Sequence, residues 1–217
     1  MKKQVRVVGI VVILVVAVVA GVIYLGSLPE GDYIEPFDNE GRYDSTILNN
    51  MGVIYSNQSD IASWYEGYSE SDACPWGFIH NGLDYFFYNN SAVIAAAPGL
   101  VEIIEVGYLE NSTTIYKVDV KIKFNESITI EYGFEGVGNE SLRAQQVEML
   151  GIEAGDWVAR GDPIGSFFTP NVGAHVHFAV YFNDVSFCPR LVMGEDDYNE
   201  IMSLIQAFNP TWELCYP

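Results

Sequence analysis

Positive charge is scarce in this chain: 217 residues carry 10 Lys and Arg against 29 Asp and Glu, a formal net charge of −19. Three of the cations, Lys2, Lys3 and Arg6, stand at the N-terminus, so the remainder holds seven cations and all 29 acidic residues, a formal charge of −22. Such a surface repels nucleic acid and anionic lipid headgroups, which excludes nucleic-acid binding as the main activity. It suits solubility in a salty or acidic medium better than recognition of one cationic partner. Cysteine is limited to Cys74, Cys188 and Cys215, too few for a disulfide-dense scaffold. In an oxidising compartment these imply one disulfide and one odd thiol, with the pairing open. Histidine is equally rare: His80, His175 and His177 are the whole supply. Internal repeats and low-complexity tracts are missing outside one apolar run.

That run is Val7 to Leu25, 19 residues without a charge, dominated by Val, Ile, Leu and Ala. As a helix it would be roughly 28 Å long, close to the thickness of a bilayer core. The basic residues before it, with no acidic residue before Glu30, predict a cytoplasmic N-terminus and an exported remainder. A cleaved signal peptide is the rival reading, since Ala17 and Ala20 are small. The run exceeds a usual signal core and no A-x-A site follows it, which favours an uncleaved single-pass anchor. Asn57, Asn89, Asn111, Asn125 and Asn139 each head an N-x-S/T sequon, compatible with a glycosylated extracellular surface.

Residues 1–28 thus read as cytoplasmic tail and transmembrane helix, and residues 29–72, rich in Tyr, Asn, Ser and Asp, as a membrane-proximal stalk or irregular collar. Over residues 73–185 short β-rich runs, among them "TTIYKVDVKIKF", "SITIEYGF" and "VHFAVYF", alternate apolar with polar residues between turn signals. They predict a mainly β, antiparallel, small sandwich-like domain whose strands each have one buried and one wetter face, with no helix interrupting them. Residues 186–217 contain "GEDDYNEIMSLIQAF", where Ile201, Leu204, Ile205 and Phe208 recur at helical spacing behind an acidic start. This is one amphipathic helix packed on the sheet.

The chemistry concentrates around the histidines. In "GAHVHFAV" His175 and His177 stand two apart in a strand-like run and so point to the same side. In "GFIHNGLDYFF" His80 precedes Asp84 by four positions. Imidazole and carboxylate suit zinc, and a catalytic zinc typically has three protein ligands with a fourth position left for water. His80, Asp84 and one of the paired histidines would make such a set.

The two stretches "HNGLD" and "GAHVHF" resemble the His-x-Gly-x-Asp and Gly-x-His-x-His signatures of the lysostaphin-type, LytM-like zinc endopeptidases. Between them "AAAPGLVEIIEVG" and "IEAGDWVARGDPIG" match that family's strand opening and glycine-spaced turn. The resemblance covers roughly residues 73 to 182, about half of the chain. It implies that His80, Asp84 and His177 are zinc ligands and that His175 is a catalytic group beside the metal. The implied reaction is peptide-bond hydrolysis in cell-envelope peptide or glycopeptide, near glycine or other small residues. Lipoyl and biotinyl carrier domains share the turn but need an exposed hairpin lysine, and no such element occurs here.

The chain departs from the pattern at one point. Active members place a second catalytic histidine in a Tyr-x-His-Leu element shortly before the turn, and this chain has no histidine left for it. Counted back from Gly155, the position falls on Gln146 in "RAQQVEML". A glutamine can donate a hydrogen bond but cannot carry a proton, and losing such a group costs a rate factor of about 100 to 1000. Two readings follow: an anchored zinc endopeptidase, or a zinc-binding pseudopeptidase with a binding or structural role at the cell surface. Composition leaves the oligomeric state open.

Overall fold

Alternation in the β-rich block becomes the two faces of one sheet. The computed structural model describes residues 51–109, 112–169 and 173–217. The anchor expected over Val7 to Leu25, the first half of the expected collar and Asn111 of its sequon lie outside the described residues. Among the described residues no helix is long and apolar enough to cross a membrane.

The main sheet contains β1 (Ile61–Glu66), β3 (Leu83–Phe87), β5 (Gly99–Tyr108), β6 (Ile115–Lys123), β7 (Ile128–Val137), β8 (Trp157–Val158) and β10 (His175–Phe182). They lie in the order β1-β3-β10-β7-β6-β5-β8, and β11 (Val185–Ser186) folds back on β10. Each neighbouring pair is antiparallel. Two small sheets flank it: β2 (Tyr68–Ser69) pairs in parallel with β12 (Cys215–Tyr216), and β4 (Ala92–Ile94) antiparallel with β9 (Pro163–Ser166). The expected mainly antiparallel β architecture is what forms.

Register explains the core. Val176, Phe178 and Val180 on β10 face Phe134, Tyr132 and Ile130 on β7, and all six are fully buried. Val118, Val120 and Ile122 extend this layer across β6. The alternate positions carry His175, His177, Glu131, Gly133, Glu135, Lys117, Asp119 and Lys121, so the other face of the same strands is polar. Turn chemistry fits the hairpins. Asn183 and Asp184 both have positive φ, 47° and 65°, as the two central residues of a tight β10–β11 turn require. At the β6–β7 turn the Asn125 carboxamide oxygen accepts from the Ser127 and Ile128 amides. Asn125 is fully buried there, so its sequon serves the turn.

In the glycine-spaced turn the repeated Gly-Asp does the same work twice. Gly155 and Gly161 take positive φ, and the Asp156 and Asp162 carboxylates each accept from the amide three residues earlier, Glu153 and Ala159.

Two departures from expectation have physical causes. Part of the stretch expected as collar is a working strand: β1 pairs with β3, and its Trp64 packs edge-on against Tyr85 at 4.6 Å. Its two core residues, Ile61 and Trp64, are three apart, a spacing opened by bulges, so no strict alternation announces it. A helix also interrupts the β block: α1 (Glu140–Glu148) starts where Asn139 accepts from the Ser141 and Leu142 amides. Its apolar residues are too few to show a helical period, and the cap carries the signal instead.

The C-terminal helix α2 (Glu195–Phe208) buries Ile201, Met202, Leu204 and Ile205, while Phe208 at its end is exposed. The Arg160 guanidinium contacts the Asp197 carboxylate in its acidic first turn at 2.6 Å. Cys188 is disulfide-bonded to Cys215, 27 residues on, and Cys74 is the free thiol. Closing a loop of that length contributes about 3.5 kcal/mol in the chain-entropy account. Cys215→Ala should therefore lower the unfolding free energy by about 2–4 kcal/mol, measured by denaturant titration without reductant. Reductant should reproduce the loss in the wild type and leave the variant unchanged.

Candidate metal centre

The polar face of the sheet becomes a site where β3 and β10 meet. Asp84 and His177 are direct cross-strand partners, and His177 Nδ1 lies 2.9 Å from Asp84 Oδ1. His80 precedes β3 and is tied to β2: its backbone exchanges hydrogen bonds with Ser69, and its amide also meets the Ser69 hydroxyl at 2.9 Å. That hydroxyl accepts from Trp76 Nε1 as well and donates to the Phe78 carbonyl. So held, His80 Nε2 stands 3.4 Å from Asp84 Oδ1. One donor atom each from His80, Asp84 and His177 falls within 4.8 Å of the others.

Gly82 is required by close approach. A Cβ there would lie 2.5 Å from His177 Cε1 and 2.6 Å from the Phe178 carbonyl oxygen, so the glycine of "HNGLD" is what lets the His177 ring lie against the β3 side. The other ring nitrogen of His80 settles its tautomer. Nδ1 is 2.8 Å from the Gly67 carbonyl, which can only accept, so Nδ1 carries the hydrogen; Nε2 is the nitrogen a neutral ring would offer to a metal, and it donates to Asp84 only when the ring is protonated.

The donor set fits zinc. Two imidazoles and one carboxylate at bond lengths near 2.0–2.2 Å place tetrahedral ligand atoms about 3.4 Å apart. The 3.4 Å between His80 Nε2 and Asp84 Oδ1 is of that size, and one donor atom of His177 lies within 4.8 Å of both. Electrostatics points the same way. Burial opposes ionisation of Asp84, but hydrogen bonds from His177 and His80 outweigh it and hold the carboxyl well below the usual range. Burial works against a charged His80, yet the hydrogen bond and charge of Asp84, the Gly67 carbonyl and Glu66 raise its pKa.

His175 stands beside the triad without joining it, its Nε2 3.5 Å from Asp84 Oδ2. Phe86 stacks on its ring at 5.3 Å, Tyr65 packs on Phe86, and exposed Phe78 and Ile79 lie next to His80 in the chain, which gives the opening an apolar rim. Along the same sheet face a cavity of about 250 Å³ is lined by Lys121, Thr129, Glu131, Tyr181 and Asp184. Asn81 of "HNGLD" reaches it by donating to the Tyr181 hydroxyl.

Gln146 is not part of this arrangement. It is fully buried in α1, where its amide donates to the Ser166 carbonyl and accepts from the Phe168 amide. The count that selected it ran along the chain without structure, and it lands inside α1, on a side chain that faces the β9 end and not the histidines. Two carboxylates that the sequence did not single out face the histidines instead. Glu135 lies opposite His175 with Oε2 3.6 Å from Nε2, and Glu66 lies opposite Asp84 with Oε2 3.9 Å from His80 Nε2. Burial raises the pKa of both carboxyls, and Asp84 adds to the rise. Alternation in "SITIEYGFEGV" puts Glu135 on the wet face, but only the β7–β10 register shows what it faces.

No protein-family model matches the chain, and no curated protein matches it. Solved structures do. A zinc-containing peptidase from Vibrio cholerae is 18% identical at a TM-score of 0.46, over 71% of this chain and 44% of that one. Csd3 from Helicobacter pylori is 17% identical at 0.48, over 82% and 49%. The antimicrobial peptidase lysostaphin from Staphylococcus simulans is 16% identical at 0.41, over 76% and 57%. The chain thus spans about half the length of these structures.

Two outcomes are expected. Gln146→Ala should cost about 1–3 kcal/mol in a thermal or denaturant melt by stranding the Phe168 amide and Ser166 carbonyl, with zinc affinity unchanged. His80 has the opposite signature. Its raised pKa stabilises the metal-free fold fully below the unfolded value of 6.5, and this contribution is lost as pH rises through the folded pKa. His80→Ala should therefore destabilise metal-free protein more at pH 6 than at pH 9, whereas zinc affinity of the wild type, which needs the neutral ring, should rise over the same interval.

Proposed function

We propose that the chain is a zinc-dependent endopeptidase that hydrolyses peptide bonds in cell-envelope peptide or glycopeptide, tethered by residues 7–25 with its β domain outside the cytoplasm. The observation that carries the reading is the convergence of His80, Asp84 and His177 with His175 at their side. The envelope substrate rests on the resemblance of "HNGLD" and "GAHVHF" to lysostaphin-type signatures. The tether rests on the charge-free run and the basic residues before it.

Bound by the triad, zinc would polarise the peptide carbonyl and make water acidic enough to attack near neutral pH. His80 and His177 supply neutral nitrogens for it, and Asp84 supplies the charge that burial would otherwise make costly. His175 is placed to hold and pass a proton beside them: its Nδ1 is fixed on the Gly173 carbonyl at 3.0 Å, which aims Nε2 at the triad. Phe86 and Phe78 at the rim exclude water from the approaching peptide without adding charge.

One observation favours a second reading, a zinc-organising surface domain without turnover: every histidine is used, and Gln146 does not reach the site. A single experiment separates the two. Full-length protein should carry about one zinc per chain and lose it in His80→Ala and Asp84→Ala. His175→Ala should keep the metal and cleave glycine-containing envelope peptides at least about 100-fold more slowly. Metal without cleavage in the wild type leaves the second reading, and no metal at all removes both.

A further inference from the structure

Hydrogen-bond acceptors converge beside the ligand triad. The Gly173 carbonyl takes the hydrogen on His175 Nδ1, so a neutral ring leaves Nε2 as a bare lone pair. That atom lies 3.5 Å from Asp84 Oδ2 and 3.6 Å from Glu135 Oε2. Glu135 is held there by the ladder, opposite His175 on one side and Lys117 on the other, with its side chain 13% exposed. Lys117 turns its ammonium to Asp119, 2.6 Å from Oδ2. Two acceptors at such a distance repel unless a hydrogen lies between them or a donor bridges them. With Asp84 turned to a metal and both groups unprotonated, a donor on whatever enters the site is what can bridge them.

We propose that Glu135 is a second catalytic residue, its carboxylate and His175 Nε2 together accepting from an O–H or N–H donor of the group seated beside the triad. This rests on the zinc peptidase reading and puts a carboxylate in the role for which the sequence offered no histidine. In hydrolysis, water gives its proton to the Glu135–His175 pair as its oxygen bonds to the peptide carbon. The same proton passes to the amide nitrogen as the C–N bond breaks, leaving acid and amine. Glutamate can carry that proton, which glutamine cannot.

Acetohydroxamic acid tests the arrangement without turnover, because it combines metal-chelating oxygens with a donor N–H. Its binding to zinc-loaded full chain is measured by calorimetry, with inorganic phosphate, richer in acceptors, as the control. Glu135→Gln keeps shape and removes the charge. It should weaken hydroxamate binding about tenfold or more, leave one zinc per chain, and leave phosphate binding equal or tighter. Glu135→Asp, which keeps the charge on a shorter stem, should fall between and decides the matter if the glutamine variant does not fold. Equal hydroxamate affinity in wild type and Glu135→Gln, or a parallel loss of phosphate and hydroxamate, overturns the proposal whether or not the wild type cleaves peptides. Where it does cleave, Glu135→Gln should be slower by about 100-fold. Full activity in that variant overturns the role of Glu135 and leaves the zinc peptidase reading standing.

Discussion

The pairing of β3 with β10 is the constraint on which the site depends. Asp84 meets His177 because the two strands are in one register, and a slip of one residue would turn both histidines of β10 into the core. The polar contact does not set that register by itself. Burying Val176, Phe178 and Val180 contributes about 1.5–3 kcal/mol each, comparable in sum to the whole stability of a domain. A charged hydrogen bond such as that of Asp84 contributes about 1.5–3 kcal/mol. The apolar face thus chooses the alignment and the polar face inherits it.

What the polar face inherits is a graded sequence of groups across neighbouring strands. Asp84, His177, Gly133 and Asp119 form one row, and Phe86 beside the row of His175, Glu135 and Lys117 closes it toward solvent. Glycine keeps space in the first row. A Cβ at Gly133 would stand 3.2 Å from Asp119 Oδ1 and 3.4 Å from His177 Cβ, as Gly82 would meet the His177 ring on the other side. Small residues therefore flank His177 in the middle of the sheet, while burial raises the proton affinity of Glu135 and the Lys117 ammonium neutralises Asp119.

The periphery reaches the site through His80. That ligand is bonded to Ser69 of β2, β2 pairs with β12, and β12 is anchored by the disulfide from Cys215 to Cys188. Trp76 adds a second tie, bonding Ser69 and packing on Trp212 and Tyr216 of the C-terminal tail. A cross-link far from His80 in sequence thus limits how far it can drift.

The sequence by itself determined the parts that repeat with a short period or carry a rare side chain. Alternation in "YKVDVKIKF" and "SITIEYGF" was enough for an antiparallel sheet with two unlike faces, and helical spacing after Gly194 was enough for α2. Three histidines in two short patterns were enough for His80, Asp84 and one of the paired histidines, and the resemblance to lysostaphin-type signatures pointed to His177. Tertiary structure alone decided everything that depends on register between distant strands. It paired Cys188 with Cys215, drew Ile61–Glu66 out of the expected collar into the sheet, and buried Asn125 in a turn. It also set Gln146 against Ser166, away from the histidines, and Glu135 beside His175. The physical reason is common to all of these. Periodicity fixes which face a side chain takes, but which side chain stands opposite is set by the packing of whole strands, and a count along the chain cannot see that packing.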